Sequence, residues 1–413
     1  MLAVWFVLLI EVIAVYFVNL FLPGSALPVA VLIGTHIIVA MAFFLSRKRY
    51  AAIPLMAGFF LRLLVMFIDC AMGYTLPDSM ADALGYYSSA VTWMKGMAAN
   101  YGGMYSRLLG YVYRLTGPSR PLAQYINVLL GMTAVWMLYK SMLLLKLNAK
   151  ARKRLLWLAC VMPYSLYAAQ ITNRESVIIA FAALSAYCAV RWYLRRRALW
   201  MVLSAACLLF ASTFHAGIIL LGAGYAILFI AYSHRSRRLH FNRSTLPVLA
   251  LIVGGAALIS VTYSGVFLAK FSGKMNAAAI LRQFNRETGG SAYLTWINAG
   301  ALWQVLLFSP LKLLHFLYSP LPTNWRGLAD VGSFAVDGLV YLWITVYCIR
   351  RRRTTKHPRL FLTLAIGLLC AAFVFSLGTW TAGTAMRHRQ KLFVSMLMLA
   401  AVSGAPDDRG YEH

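Results

Sequence analysis

The chain has 413 residues, 61% hydrophobic and only 12% charged, and its 39 Lys and Arg against 11 acids give a formal net charge of +28. A soluble domain cannot hide that much apolar surface, so the expected class is an all-α polytopic membrane protein: one integral membrane domain over 1–413, built as a helix bundle. The cations sit in short clusters between apolar runs, which is how topology signals are distributed. That excludes nucleic acid as a partner and leaves membrane lipid.

Apolar runs predict helices over 1–22, 27–45, 51–70, 123–145, 154–170, 175–194, 198–213, 216–232, 246–264, 332–349, 359–378 and 391–404. Met1 to about Leu22 lacks the basic leader of a cleaved signal and reads as a retained first helix, with a cut near Ser25-Ala26 as the alternative. Pro23-Gly24 marks the first outer turn. Arg47-Lys48-Arg49, Lys150 to Arg154, Arg195-Arg196-Arg197, Arg235 to Arg243 and Arg350 to Arg359 fall in alternate loops without one acid among them. The positive-inside rule puts all five in the cytoplasm, and with them both chain ends, which makes the expected location the cytoplasmic (inner) membrane. Asp69, Asp78, Asp82, Glu175, Glu287, Asp330 and Asp337 then fall on or near the outer side, while Asp407, Asp408 and Glu412 return to the cytoplasm.

Two outer loops are long: 71–122, with interfacial helices, and 265–331. Ala299 to Tyr318 is apolar enough to span, but counting it would put Arg350 to Arg353 outside. Twelve spans with a re-entrant 299–318, broken around Pro310, satisfy the charge rule; thirteen spans are the alternative. Inside the spans, Glu11 and Arg62 would each cost roughly 2.5–3.5 kcal/mol if unpaired, so a Glu11–Arg62 pair is one solution. None of the six cysteines forms a C-x-x-C pair, so neither a zinc site nor a disulfide framework is indicated.

Candidate chemistry concentrates on the outer side. Asp82, Tyr86 and Ala90 share one face if Ser79 to Met97 is helical, and a carboxylate there could take a proton from a sugar hydroxyl. The competing reading is that Asp78 and Asp82 only cap and solubilise an interfacial helix. Thr172-Asn173-Arg174-Glu175 has capping-box spacing, which would account for Glu175 but not for Arg174, a cation where the helix dipole disfavours one. His215 lies in the tight turn Phe214-His215-Ala216-Gly217, where a structural role is the usual one. Arg387-His388-Arg389 and Lys391, with no acid between Asp337 and Asp407, suit a phosphate or diphosphate ligand, against snorkelling to lipid headgroups. Lys270, Lys274, Arg282 and Arg286 read as a helix lying on anionic lipid.

Asn173-Arg174-Glu175-Ser176, then two helices and Phe214-His215-Ala216, resembles the Wzy-type and EpsG-type O-antigen and exopolysaccharide polymerases. Asp82-x-x-x-Tyr86 is similar to the acidic first outer loop of the wider C-type membrane glycosyltransferases, and Arg387-His388-Arg389 is similar to the polymerases' late Arg-rich motif. Glu175 departs from the polar amide usual there, as does the proline-rich outer segment 310–325. The resemblance implies transfer of a glycan from a polyprenyl-(di)phosphate-linked donor at the outer face, alongside polysaccharide assembly and export proteins. It gives Asp82, Asp78, Glu175 or His215 the role of base, and Arg387, Arg389, Arg174, His388 and Lys391 the role of holding phosphate. With no Asp-x-Asp pair, no metal or other cofactor is expected. A flippase for lipid-linked sugars would want cations along its midplane, where only Arg62 sits; a non-catalytic scaffold of an assembly complex is the third reading.

Overall fold

The computed structural model describes residues 1–22, 24–72, 82–98, 101–233, 238–239, 277–285 and 289–405. The expected helix over 246–264, the acids Asp78, Glu287, Asp407, Asp408 and Glu412, and the cations Lys270, Lys274 and Arg286 lie outside them. Of the described residues 81% are helical, which settles the all-α class. Its paired strands, among the described residues, are the two-residue stretches Tyr232–Ser233 and Arg238–Leu239.

Among the described residues, seven helices are long and apolar enough to cross a membrane: Leu2–Phe21, Leu27–Leu45, Arg49–Cys70, Arg120–Leu144, Glu175–Arg195, Leu328–Arg351 and Pro358–Leu377. Burial sorts them. Only 22% of the apolar window in Leu2–Phe21 is buried inside the protein, against 72% in Glu175–Arg195. The first helix therefore turns Phe6, Ile10, Phe17 and Phe21 outward, a surface that hydrocarbon covers without cost and water does not.

Contacts divide the chain into two compact units: Met1–Tyr139 with Asn148–Ala180, and Lys140–Leu147 with Phe181–His413. The first unit holds α1 (Leu2–Phe21), α2 (Leu27–Leu45), α3 (Arg49–Ala71), α4 (Leu84–Met94), α5 (Met104–Thr116), most of α6 (Arg120–Leu144), α7 (Ala149–Val161), α8 (Pro163–Gln170) and the first residues of α9 (Glu175–Arg195). Several of its buried polar side chains find partners on other helices. His36 bonds Tyr125 OH at 2.7 Å through Nδ1 and Val4 O at 2.8 Å through Nε2. The expected helix 154–170 breaks at Pro163, which has no N–H to give the Ala159 carbonyl. Arg62 fills that gap, donating to Ala159 O, Cys160 O and Gly58 O at 3.5, 3.3 and 3.0 Å. A Glu11–Arg62 pair is not what forms: Glu11 accepts from Thr35 Oγ1 instead, at 2.9 Å.

The second unit holds α10 (Ala198–Phe214), a 3-10 turn Ala216–Leu220, α11 (Leu221–Ala231), α12 (Ala277–Phe284), α13 (Leu302–Tyr318), α14 (Leu328–Arg351, with a π turn at Phe334–Gly338), α15 (Pro358–Leu377) and α16 (Ala382–Ser403). Pro310 does not break α13. The Leu306 carbonyl that it orphans accepts from Ser309 Oγ at 2.8 Å, a substitute from within the same turn. The last helix starts at Ala382, nine residues before the expected 391, because Thr381 caps it by accepting from Thr384 N. Arg387-His388-Arg389 is thus helical rather than a loop, with Arg389 fully buried and the other two half-buried. Helices α11 and α15 cross at van der Waals limit: a Cβ on Gly224 would lie 1.9 Å from Thr363 O.

Gly224→Ala must push α11 and α15 apart and should cost about 2–3 kcal/mol. Gly34→Ala meets nothing within 4 Å and should be neutral. Thermal unfolding in detergent distinguishes the two; equal melting temperatures would contradict the close crossing.

His357 sits before α15, its ring 5.6 Å from that of Tyr193. Burial, and then neighbouring Lys356, lower its pKa to about 4. The unfolded chain takes that proton near pH 6.5. Neutral His357 therefore favours the fold fully above pH 6.5, and this contribution is lost as pH falls through about 4. Melting temperature should drop between pH 7 and 4.5, and His357→Gln should flatten that slope; an unchanged slope would remove His357 as its source.

Candidate functional site

The first unit gathers a set of tyrosines, amides and acids. Gly102 and Gly103, at φ of +84° and +55°, make a turn that L side chains rarely adopt. A Cβ on Gly102 would also strike Ser106 Oγ and the Tyr86 ring. That turn launches α5 back along α4, and Gly110 seats against Ala90 and Trp93. The face of α4 carrying Tyr86 and Ala90 is buried, as the spacing of Asp82, Tyr86 and Ala90 requires. Asp82, half-buried just before α4, accepts a hydrogen bond from Tyr101 OH at 2.5 Å. The Tyr86 ring packs 5.2 Å from both Tyr101 and Tyr105.

From Tyr105 the network reaches the 171–175 motif. Asn127 on α6 donates through Nδ2 to Ile171 O, Asn173 O and Tyr105 OH at 2.7, 2.9 and 3.1 Å. Thr172, Asn173, Glu175 and Ser176 are each at most 1% exposed. Among the described residues Thr172 Oγ1 makes no hydrogen bond, so the Thr172 half of the capping box does not form, and the motif is an interior feature. Glu175 opens α9, where the helix dipole favours its charge. Burial, outweighing the Asn127 hydrogen bond, holds the Tyr105 pKa well above the usual value, and the charges of Tyr113, Tyr86 and Glu175 add to the rise. Tyr105 thus keeps its O–H proton beside the Glu175 carboxylate. Arg174 is half-buried, and its Nε–H donates to no protein acceptor among the described residues.

A second group on the same unit escaped sequence reasoning. Asp69, at the end of α3, accepts from Arg120 Nη2 at 2.5 Å and from Gln124 Nε2 at 2.6 Å. Cys70 Sγ donates to Gln124 Oε1 at 2.8 Å. The i, i+4 spacing of Arg120 and Gln124, at the entry of an apolar helix, was the available signal.

In the second unit, the rings of His215 and His388 lie 5.3 Å apart, and Phe375 packs 4.8 Å from His215 and 5.6 Å from His388. Lys391, 1% exposed, points its ammonium toward the Phe375 ring at 5.8 Å. The structure thus joins His215, His388 and Lys391, three groups suited to an anionic ligand. Arg389 departs from its expected role. It is fully buried, paired with Asp337, donates to Phe316 O and lies 5.0 Å from the Tyr341 ring. Its charge neutralises an acid far away in sequence, which the absence of local acids concealed. Arg387 is half-buried on the same helix. Among the described residues no three His, Cys, Asp or Glu side chains converge as metal ligands do.

Asn127→Ala removes the donor to two carbonyls and a tyrosine and should cost about 2–3 kcal/mol, read as a lower melting temperature at unchanged insertion. A melting temperature equal to wild type would mean that Asn127 does not hold the motif. Comparison with family models, with characterised proteins and with solved structures found no match for this chain.

Proposed function

We propose that the protein is a membrane glycosyltransferase of the polymerase kind, transferring glycan from a polyprenyl-(di)phosphate-linked donor to an acceptor at the outer face of the cytoplasmic membrane. In this reading the chain makes twelve spans with both ends inside, and envelope or exopolysaccharide assembly is its setting. One observation carries it: in the first unit a tyrosine and amide cluster joins Asp82 to the buried Asn173-Arg174-Glu175 motif. Carboxylates, hydroxyls and a half-exposed guanidinium are the groups that glycosyl transfer needs.

The acceptor oxygen attacks the anomeric carbon while the bond from that carbon to the diphosphate oxygen breaks. The acceptor proton passes to a carboxylate, Glu175 or Asp82, and the diphosphate leaves with the bonding electrons, stabilised by Arg174. Tyr101 holds Asp82 in place, and Tyr105, kept protonated, can donate to a sugar hydroxyl.

Deleting the gene should shorten the surface glycan and leave single lipid-linked units on the outer face. Complementation with Glu175→Gln or Asp82→Asn, at normal protein level, tests the base: losing it should cost about 10²–10⁴-fold in chain extension. Full-length glycan from both variants would overturn the site, and lipid-linked units trapped on the inner side would favour the flippase.

A further inference from the structure

The positive-inside rule needs only a modest excess of cations, and the second unit carries far more. Arg195-Arg196-Arg197 joins α9 to α10, and Arg350 to Arg353, Lys356 and Arg359 surround the turn between α14 and α15. All nine side chains are exposed, and neither turn holds an acid. The fold brings the two turns together: Tyr193, two residues before Arg195, packs edge-on against His357. Tyr193 also lies 4.7 Å from Tyr232, which in turn approaches Trp192. Arg191 sits 3.8 Å from the Trp200 ring and donates to Tyr187 OH. Aromatic rings ringed by arginine are the composition of a headgroup-level belt.

Two features go beyond a topology signal. The 351–357 turn is held in shape: Thr355 Oγ1 donates to Val402 O, His357 N to Thr355 Oγ1 and Lys356 N to Ala405 O. Its neighbour is strained. Arg196 sits at φ +58°, a left-handed conformation that glycine adopts freely and arginine does not. Any flanking residue could supply a topology charge, so a cation placed at that position points to a contact that needs it there.

We propose that these two turns form a binding site for anionic phospholipid headgroups, with preference for a lipid bearing two phosphates, one for each basic turn. Guanidinium groups grip phosphate oxygens in bidentate fashion, and the Tyr193–His357 contact fixes the spacing of the two rows. The site is separate from the outer-face chemistry and stands whether or not that reading holds.

The test uses the purified full chain in phosphatidylcholine nanodiscs, with cardiolipin or phosphatidylglycerol added and bound lipid counted by native mass spectrometry. Wild type should retain cardiolipin in preference to phosphatidylglycerol. The triple variant Arg196→Gly, Arg352→Gln, Arg353→Gln should bind it at least tenfold more weakly; its six remaining cations keep the charge asymmetry. Arg326→Gln, an exposed cation elsewhere on the unit, should change nothing. If the triple variant fails to accumulate, the charge-conserving Arg196→Lys, Arg352→Lys, Arg353→Lys is read instead, and it should lose the preference for cardiolipin. Unchanged binding in the triple variant, loss of preference in neither, an equal loss in Arg326→Gln, or inorganic pyrophosphate binding as tightly as the lipid would each overturn the site.

Discussion

Hydrocarbon offers no hydrogen bonds, so a buried charge or an orphaned carbonyl in this chain must find its partner inside the protein. Much of the architecture follows from that constraint. Pro163 frees the Ala159 carbonyl, and Arg62 reaches across from α3 to meet it. Pro310 frees Leu306 O, and Ser309 replaces the missing donor. Arg389 and Asp337 bury their charges together. In each case a residue that looks like a liability in an apolar run is half of a matched set.

The same constraint gives the 171–175 motif its meaning. A turn between α8 and α9 exposes backbone carbonyls wherever it lies, and Asn127 meets two of them with one amide. Ordering the turn this way fixes the start of α9 and with it Glu175, a carboxylate that burial alone would disfavour and the helix N-terminus supports. The tyrosines of α4 and α5 then close over the motif and link it to Asp82. Structure and candidate chemistry share the same atoms: the amide that satisfies the backbone also holds Tyr105, the tyrosine beside Glu175.

Apolar runs and basic clusters made the helical class and the first three helices legible, since hydropathy is local. The spacing of Asp82, Tyr86 and Ala90 placed that face correctly because helical period is local too. Pairings across the chain were not legible. Arg62 read as a charge in need of Glu11, because carbonyls do not appear in a sequence, and its actual partners are backbone carbonyls, one of them freed by a proline one hundred residues away. Arg389 read as an outward cation because its acid, Asp337, lies on another helix. The start of α16 was misjudged since five polar residues in a row look like a loop until their burial is known. Gly102-Gly103 and Asn127 carried the geometry of the cluster without any motif to announce them.

The most direct test of the central claim is transfer by the purified chain in vesicles supplied with a polyprenyl diphosphate-linked oligosaccharide from its own host. The account predicts that glycan lengthens while free polyprenyl diphosphate appears in equal amount, and that Glu175→Gln or Arg174→Ala suppresses both together. Vesicles in which the wild-type protein moves the lipid-linked sugar between leaflets with no polyprenyl diphosphate released would contradict it.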